Sequence, residues 1–249
     1  MPKLKDLGKD LEKMTVDGGG SFQFSGVRIQ DLGATEYTLV TIATDRSGSV
    51  GGFNTQLLEA IKTVVEACKK SPRAENLMLR LLTFNQGLEE VHGFRLLSTI
   101  DPADYVEPVC NGMTALFDAT YSGIGATLTY AKKLIDQDFM ANGIVFIITD
   151  GEDNESSTTP GMIADLVNRS KVGEDIESLI TILIGVNTAN NGVAASLDKF
   201  SNDAQLTQYV DVGSITPQKL AKLATFVSKS VSSQSQALGT GGPSQPLVF

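Results

Sequence analysis

Thr38-Leu39-Val40-Thr41-Ile42-Ala43-Thr44-Asp45-Arg46-Ser47-Gly48-Ser49 decides the fold of this 249-residue chain. Its first six residues are β-branched or apolar and predict a strand buried on both faces. Gly48, Gly51 and Gly52 break the run, and Phe53, Leu57, Leu58, Ile61, Val64, Val65 and Cys68 then mark one face of a helix. One carboxylate and two hydroxyls, spaced Asp45-x-Ser47-x-Ser49, are therefore held on a tight loop at the carboxyl end of a strand. Ligands of open α/β sheets bind at that edge. These donors are hard oxygens carrying little charge, which suits magnesium or manganese better than a soft metal.

Outward from this unit, strands and helices alternate. Leu77 to Phe84 predicts a second strand and Glu90 to Leu97 a third, antiparallel one. A helix bearing Leu116, Ala119, Ile124, Leu128, Ala131, Leu134 and Ile135 follows, then the apolar strand Gly143 to Thr149. Thr159-Pro160 and Thr216-Pro217 have the form of helix starts, a capping threonine before a first-turn proline. Between them lie a buried strand from Ser178 to Val186, a short helix near Val193–Phe200 and a last strand at Tyr209–Val212. The expected fold is α/β: a doubly wound, mostly parallel, Rossmann-like sheet with helices on both faces and one antiparallel edge strand.

The ends read differently. Leu4, Leu7, Leu11 and Met14 recur at helical spacing and predict an N-terminal amphipathic helix, followed by a joint at Gly18-Gly19-Gly20, together residues 1–20. Phe22, Phe24, Val27 and Ile29 suggest an edge strand or hairpin opening the main domain, 21–231, whose core spans about 37–231. Residues 232–249 are rich in Ser, Gln, Gly and Pro and read as a flexible tail, with Leu247-Val248-Phe249 as a small docking peptide.

Composition narrows the function. Net charge is −9 without a long basic run, which argues against nucleic acid or an anionic membrane as partner. No apolar run approaches bilayer length, and Met1-Pro2-Lys3-Leu4-Lys5-Asp6 leads into no signal-peptide core. Cys68 and Cys110 are expected to be unpaired thiols of a reducing compartment, so a cytoplasmic location is expected.

Two further loops complete a pattern. Thr114 lies in Gly112-Met113-Thr114-Ala115-Leu116-Phe117-Asp118-Ala119 at the start of a helix, and Asp150-Gly151 ends the most apolar strand. In a doubly wound sheet all three loops converge on one edge. Together they resemble the von Willebrand factor type A (vWA) domain and its metal-ion-dependent adhesion site (MIDAS), over roughly Tyr37 to Val231. The resemblance implies that Ser47 and Ser49 ligate the ion directly and Thr114 directly or through water. Asp45 and Asp150 would hold its waters or ligate it in one of two states. Arg46 stands where such domains often have a small or apolar residue, and its side chain is expected to point away from the ion.

The resemblance further implies an intracellular, metal-dependent protein-interaction module, an adaptor for an AAA+ ATPase, a kinase or a larger assembly, whose partner offers an Asp or Glu to the ion. Glu152, Asp153 and Glu155 beside the site are either solvated or tune the ion's affinity. Catalytic motifs are missing: there is no P-loop, GxSxG elbow or HExxH, and Gly123-Ile124-Gly125 lacks the third glycine of a dinucleotide fingerprint. Asp150-x-Glu152-x-Asn154 opens like a calcium loop, but the position that needs glycine holds another residue and Gly161 occupies the one that needs an acid. The expectation is therefore a non-enzyme. The alternatives are a magnesium-dependent phosphohydrolase, and a structural subunit that makes its contacts through its termini.

Overall fold

The computed structural model describes residues 11–16, 22–173, 175–189 and 192–249. Its elements run β1 (Leu11–Thr15), β2 (Gln23–Val27), β3 (Glu36–Asp45), α1 (Asn54–Lys69), β4 (Leu77–Phe84), β5 (Leu88–Leu96), α2 (Leu116–Ile135), β6 (Met140–Thr149), α3 (Pro160–Val172), β7 (Leu179–Val186), α4 (Val193–Asp203), β8 (Gln208–Gly213) and α5 (Pro217–Thr240). The strands form one sheet in the order β1-β2-β5-β4-β3-β6-β7-β8. β3 pairs in parallel with both β4 and β6, and β7 and β8 extend the parallel set. β5 is antiparallel to β4, and the hairpin β1–β2 joins β5 through a single parallel bridge, Gly26 to Phe94.

Alternation along the central strands sorts side chains onto two cores. Ile144, Phe146 and Ile148 of β6 pack with α1 and α5 on one face. Val145 and Ile147 pack with α2, α3 and α4 on the other. This two-sided burial is why β3 and β6 read as unbroken apolar runs. The threonine–proline helix starts behave as expected: Thr159 Oγ1 accepts from Met162 N at 3.4 Å, and Thr216 Oγ1 from Lys219 N at 3.2 Å.

The expectations for the two ends need correction. Leu11 and Met14 lie in strand β1 rather than in a helix, paired with Val27 and Phe24 of β2; Leu4, Leu7 and Gly18–Gly20 fall outside the described residues. The hairpin gives the backbone of this segment cross-strand partners, whereas a short helix containing Gly8 is marginal alone. Glu90 locks the hairpin down. It accepts from Ser25 N and Oγ at 3.0 and 2.6 Å, and it pairs with Arg80 Nε at 2.8 Å; both charged side chains are fully buried. Val16 seats against Gly125 of α2, where an added Cβ would lie 2.3 Å from Val16 Cγ1. The mid-helix glycine therefore serves packing.

At the other end, α5 runs through the expected tail to Thr240 and stops at Gly241, whose φ is 66°. The Ser/Gln run is helical because its polar groups find buried partners. Gln234 Nε2 donates to Gly143 O at 3.2 Å and to Ser178 Oγ at 2.9 Å, and Asn142 Nδ2 donates to Gln234 O at 2.8 Å. Ser235 Oγ accepts from Arg73 Nε at 3.0 Å. Beyond the helix, Phe249 packs edge-on against Phe226 with ring centroids 5.5 Å apart. Among the described residues, no helix is long and apolar enough to cross a membrane.

Candidate metal centre

The parallel register of β3 and β6 sets Thr44 beside Ile148, so both strands end at one level. Asp45 closes β3 and is 1% exposed. Its Oδ1 accepts from Ser47 N at 2.7 Å, a local turn that forces the chain sharply off the strand. Its Oδ2 accepts from Thr149 Oγ1 at 2.6 Å, across the β3–β6 pair. Ser47 Oγ lies 3.1 Å from Ser49 Oγ, and Ser49 Oγ donates to Asp150 Oδ1 at 2.8 Å. Four of the five expected residues thus form one continuous row of oxygens.

Thr114 reaches the same place from a third loop. Its side chain is buried, and a Cβ built on Gly151 would lie 3.8 Å from its Oγ1, so the hydroxyl abuts the end of β6. The Thr114 loop is fastened on both sides. Gly48 N donates to Gly112 O at 3.2 Å, Asn111 N to Arg46 O at 3.1 Å and Ala115 N to Asn85 O at 2.7 Å. Asn85 Nδ2 also donates to Asn111 O at 3.0 Å. Gly112 has φ 76°, and an added Cβ would fall 1.6 Å from Gln86 Oε1, the acceptor for Met113 N.

The acidic loop after Asp150 has a structural task. Asn154 Oδ1 accepts from Thr114 N at 2.8 Å, while Asn154 N donates to Thr114 O at 3.0 Å. Asp153 accepts from Phe117 N at 3.1 Å in the first turn of α2. Asp118 accepts from Thr158 N and Oγ1 at 2.9 and 2.7 Å. Glu152 and Glu155 remain exposed or nearly so, free of these ties. Thr149, Asn85, Asn154 and Asp118 carry no signal in the sequence that marks them for the site. Each is one polar residue among many, and its role depends on a neighbour on another loop.

The donor set suits a small, hard cation. Ligands at 2.0–2.1 Å in octahedral geometry sit about 2.9 Å apart along an edge. The 3.1 Å and 2.8 Å oxygen separations along Ser47, Ser49 and Asp150 bracket that spacing. Among the described residues no group of three or more His, Cys, Asp or Glu forms a rival cluster. Burial pushes the Asp45 carboxyl up to about 6, against the hydrogen bonds from Thr149 and Ser47, and the nearby Asp150 charge adds to the rise. Burial likewise raises Asp150, partly offset by Ser49. Two buried carboxylates that resist ionisation are the electrostatic setting a divalent cation relieves.

No protein-family model matches the sequence, and no curated protein matches it. Among solved structures, the chain is similar to the pilus adhesin SpaC from Lactobacillus rhamnosus GG, with TM-score 0.61 and 10% identity over 91% of this chain and 35% of that one. It is similar to the PilB minor pilin from Streptococcus sanguinis, with TM-score 0.57 and 15% identity over 87% and 66%. It is also similar to proximal thread matrix protein 1 from the mussel byssus, solved with a zinc-occupied MIDAS motif, with TM-score 0.53 and 21% identity over 80% and 46%. The matched regions span between about a third and two thirds of the length of these proteins. The fold of this chain is vWA-like.

Proposed function

We propose that this domain is a protein-interaction module in which Asp45, Ser47, Ser49, Thr114 and Asp150 hold a divalent cation, magnesium or manganese, for a carboxylate of a partner protein. The observation that carries this reading is the oxygen row Asp45–Ser47–Ser49–Asp150, with Thr114 beside it. Once bound, the cation supplies an electrophilic position that a partner's Asp or Glu completes. Ser49 is exposed while Asp45, Ser47 and Thr114 are buried, so the row opens outward through Ser49. Val109 and Met113, 72% and 46% exposed, stand on the loop that carries Thr114 and offer apolar contact to an arriving partner.

A binding role agrees better with this site than phosphohydrolysis does. Both oxygens of Asp45 already accept hydrogen bonds, from Ser47 N and Thr149 Oγ1, so the carboxylate is held as a positioning group. The test is calorimetric titration with magnesium and manganese, beside thermal melts with and without EDTA. Wild type should bind and gain about 2.7 kcal/mol at a hundredfold excess of metal over Kd, and Ser47→Ala should lose most of that gain. A melt that ignores metal, with no heat of binding, refutes the proposal. Metal-dependent phosphate release abolished by Asp150→Ala would instead make the domain a phosphohydrolase.

A further inference from the structure

Apart from the metal centre, and lined by none of its five residues, lies a cleft of about 520 Å³. α1 walls it, β4 and β5 floor it, and the segment from Thr99 to Val109 roofs it. Its volume falls in the range of ligand-binding pockets. The floor is shaped by irregular pairing. Leu79, Leu81 and Leu82 of β4 face Arg95, His92 and Glu90 of β5, so an extra β5 residue bulges out on each side of His92. As a result the consecutive residues Val91 and His92 both line the cleft, which regular alternation forbids.

The roof is tied down along its length. Lys69 Nζ, from the last turn of α1, donates to Ile100 O at 2.6 Å, and Asn54 Nδ2, from its first turn, donates to Pro108 O at 2.8 Å. Between them His92 joins roof to floor. Gly93 O can only accept, so Nδ1 donates to it at 2.9 Å, and Nε2 accepts from Tyr105 OH at 2.8 Å. The two rings stack with centroids 5.7 Å apart, so the cleft is already formed without an occupant.

The charges of the cleft set the sign of what it can hold. Four carboxylates, Glu89, Asp101, Asp104 and Glu107, line it against the two guanidiniums of Arg46 and Arg95, an excess of two negative charges. Burial keeps His92 neutral near pH 7, with its pKa at about 4. The two ends differ. Arg95 stands opposite Leu79, and the Lys69 ammonium reaches the roof at Ile100, beside Asp101, so cations offset the acids at that end. At the other end Arg46 Nη2 lies 3.5 Å from Glu89 Oε2, which leaves Glu107 unmatched. Asn54 Nδ2 and Thr55 Oγ1 both donate to Glu107 Oε1, at 3.2 and 2.8 Å; these neutral donors preserve its charge and leave its second oxygen uncommitted. Thr44 pairs with Thr83, itself opposite Glu89, so it lines this same end; it is 4% exposed and its hydroxyl has no hydrogen-bond partner. Leu57, Leu58, Ile61 and Val91 make the walls apolar in between.

We propose that this cleft binds a small organic cation, a primary amine or guanidine on an apolar body, with its charged group at the Glu107 and Thr44 end and its body against Leu57, Leu58, Ile61 and Val91. The site does not rest on the metal reading. The carboxylate excess selects a positive charge, and walls of low dielectric concentrate its field. The apolar walls select a body over a bare ion, and the tied roof selects a molecule that fits beneath it over a polypeptide chain. Carboxylate and hydroxyl oxygens both accept from an ammonium or guanidinium N–H.

The test is an NMR titration of the full chain, following the methyl groups of Leu57, Leu58, Ile61 and Val91. The probes are phenylbutylamine, phenylbutanol and phenylbutyrate, which share one body and differ in charge. Saturable shifts with the amine are expected in magnesium and in EDTA alike, with the alcohol weaker and the acid weakest. Glu107→Gln keeps the acceptor for Asn54 and Thr55 and should weaken the amine about fivefold, the upper end for an ion pair that water still reaches, while leaving the alcohol unchanged. Thr44→Val should weaken the amine as well, and Leu58→Gln should weaken amine and alcohol together. An acid that binds as tightly as the amine, an amine affinity unchanged in both Glu107→Gln and Thr44→Val, or no shift at millimolar amine overturns the proposal. Shifts confined to the Ser47, Ser49 and Thr114 loops in EDTA overturn it too, since the amine then rests on the carboxylates of the metal centre. None of these results bears against the metal reading, which calorimetry tests separately.

Discussion

Replacing Asp45 by asparagine should stabilise the metal-free protein, because the carboxylate at the centre of the site is costly when no cation neutralises it. Its pKa stands at about 6, against 3.8 as a free side chain, and burial is the largest cause. A raised folded-state value means that the native state binds the proton more tightly than the unfolded chain does. The stability this group contributes is therefore full below pH 3.8 and is lost as the pH rises through 6. That rise corresponds to about 3 kcal/mol, the whole of it lost at pH 7.

An asparagine side chain at this position keeps the shape, still accepts from Ser47 N, and meets a Thr149 hydroxyl able to turn and accept from its amide. In EDTA at pH 7, Asp45→Asn should melt several degrees above wild type, since each kcal/mol moves Tm by roughly 2–4 °C in a chain this long. The gap should close as the pH is lowered to about 4. Magnesium should reverse the order by stabilising wild type alone. Melts by circular dichroism across pH, with and without metal, check this. If Asp45→Asn is less stable than wild type in EDTA at pH 7, the electrostatic account of the site is wrong.

Other consequences are as specific. Gly112→Ala should leave the melt within about 1–2 kcal/mol of wild type but weaken metal binding strongly, because the φ of 76° and the contact with Gln86 position the Thr114 loop; calorimetry separates the two effects. Truncation after Val231 should destabilise the domain by several kcal/mol rather than trim a loose tail, since it removes the buried Gln234, Ser235 and Leu238; a denaturant titration measures it. His92 is held down to about 4 by burial and by the charges of Arg95 and Arg80, so its neutral form is favoured on folding. Its contribution is full above pH 6.5 and is lost as the pH falls towards 4. For this half-buried ring the loss is at most about 3 kcal/mol before solvent screening is allowed for. His92→Gln should flatten that slope in pH-dependent melts, and an unchanged slope would contradict the burial and the arginine charges assigned to it.

How much of the molecule is legible in its sequence follows from the range of the interactions involved. The central strands, the helix caps at Thr159 and Thr216 and the row Asp45-x-Ser47-x-Ser49 are legible because burial on two faces, a capping hydroxyl and a tight turn each leave a mark within a few residues. That Asp150 joins the row follows from strand order, since the parallel strands β3 and β6 end on one edge, whereas Thr114 follows the antiparallel β5 and is returned to that edge by the long loop before α2. The two ends mislead for the opposite reason. Leu11 and Met14 satisfy helical spacing, but the backbone of β2 offers a partner that no local pattern announces. The Ser/Gln run of α5 has the composition of a tail, yet Gly143, Asn142 and Arg73, each more than 90 positions away, accept or supply its hydrogen bonds. Asn85, Thr149 and Asn154 support the site, and His92 with Arg95 shapes the cleft, only through neighbours that the sheet brings together. Such positions carry no periodicity and no motif, because a hydrogen bond between loops constrains geometry rather than the sequence around either partner.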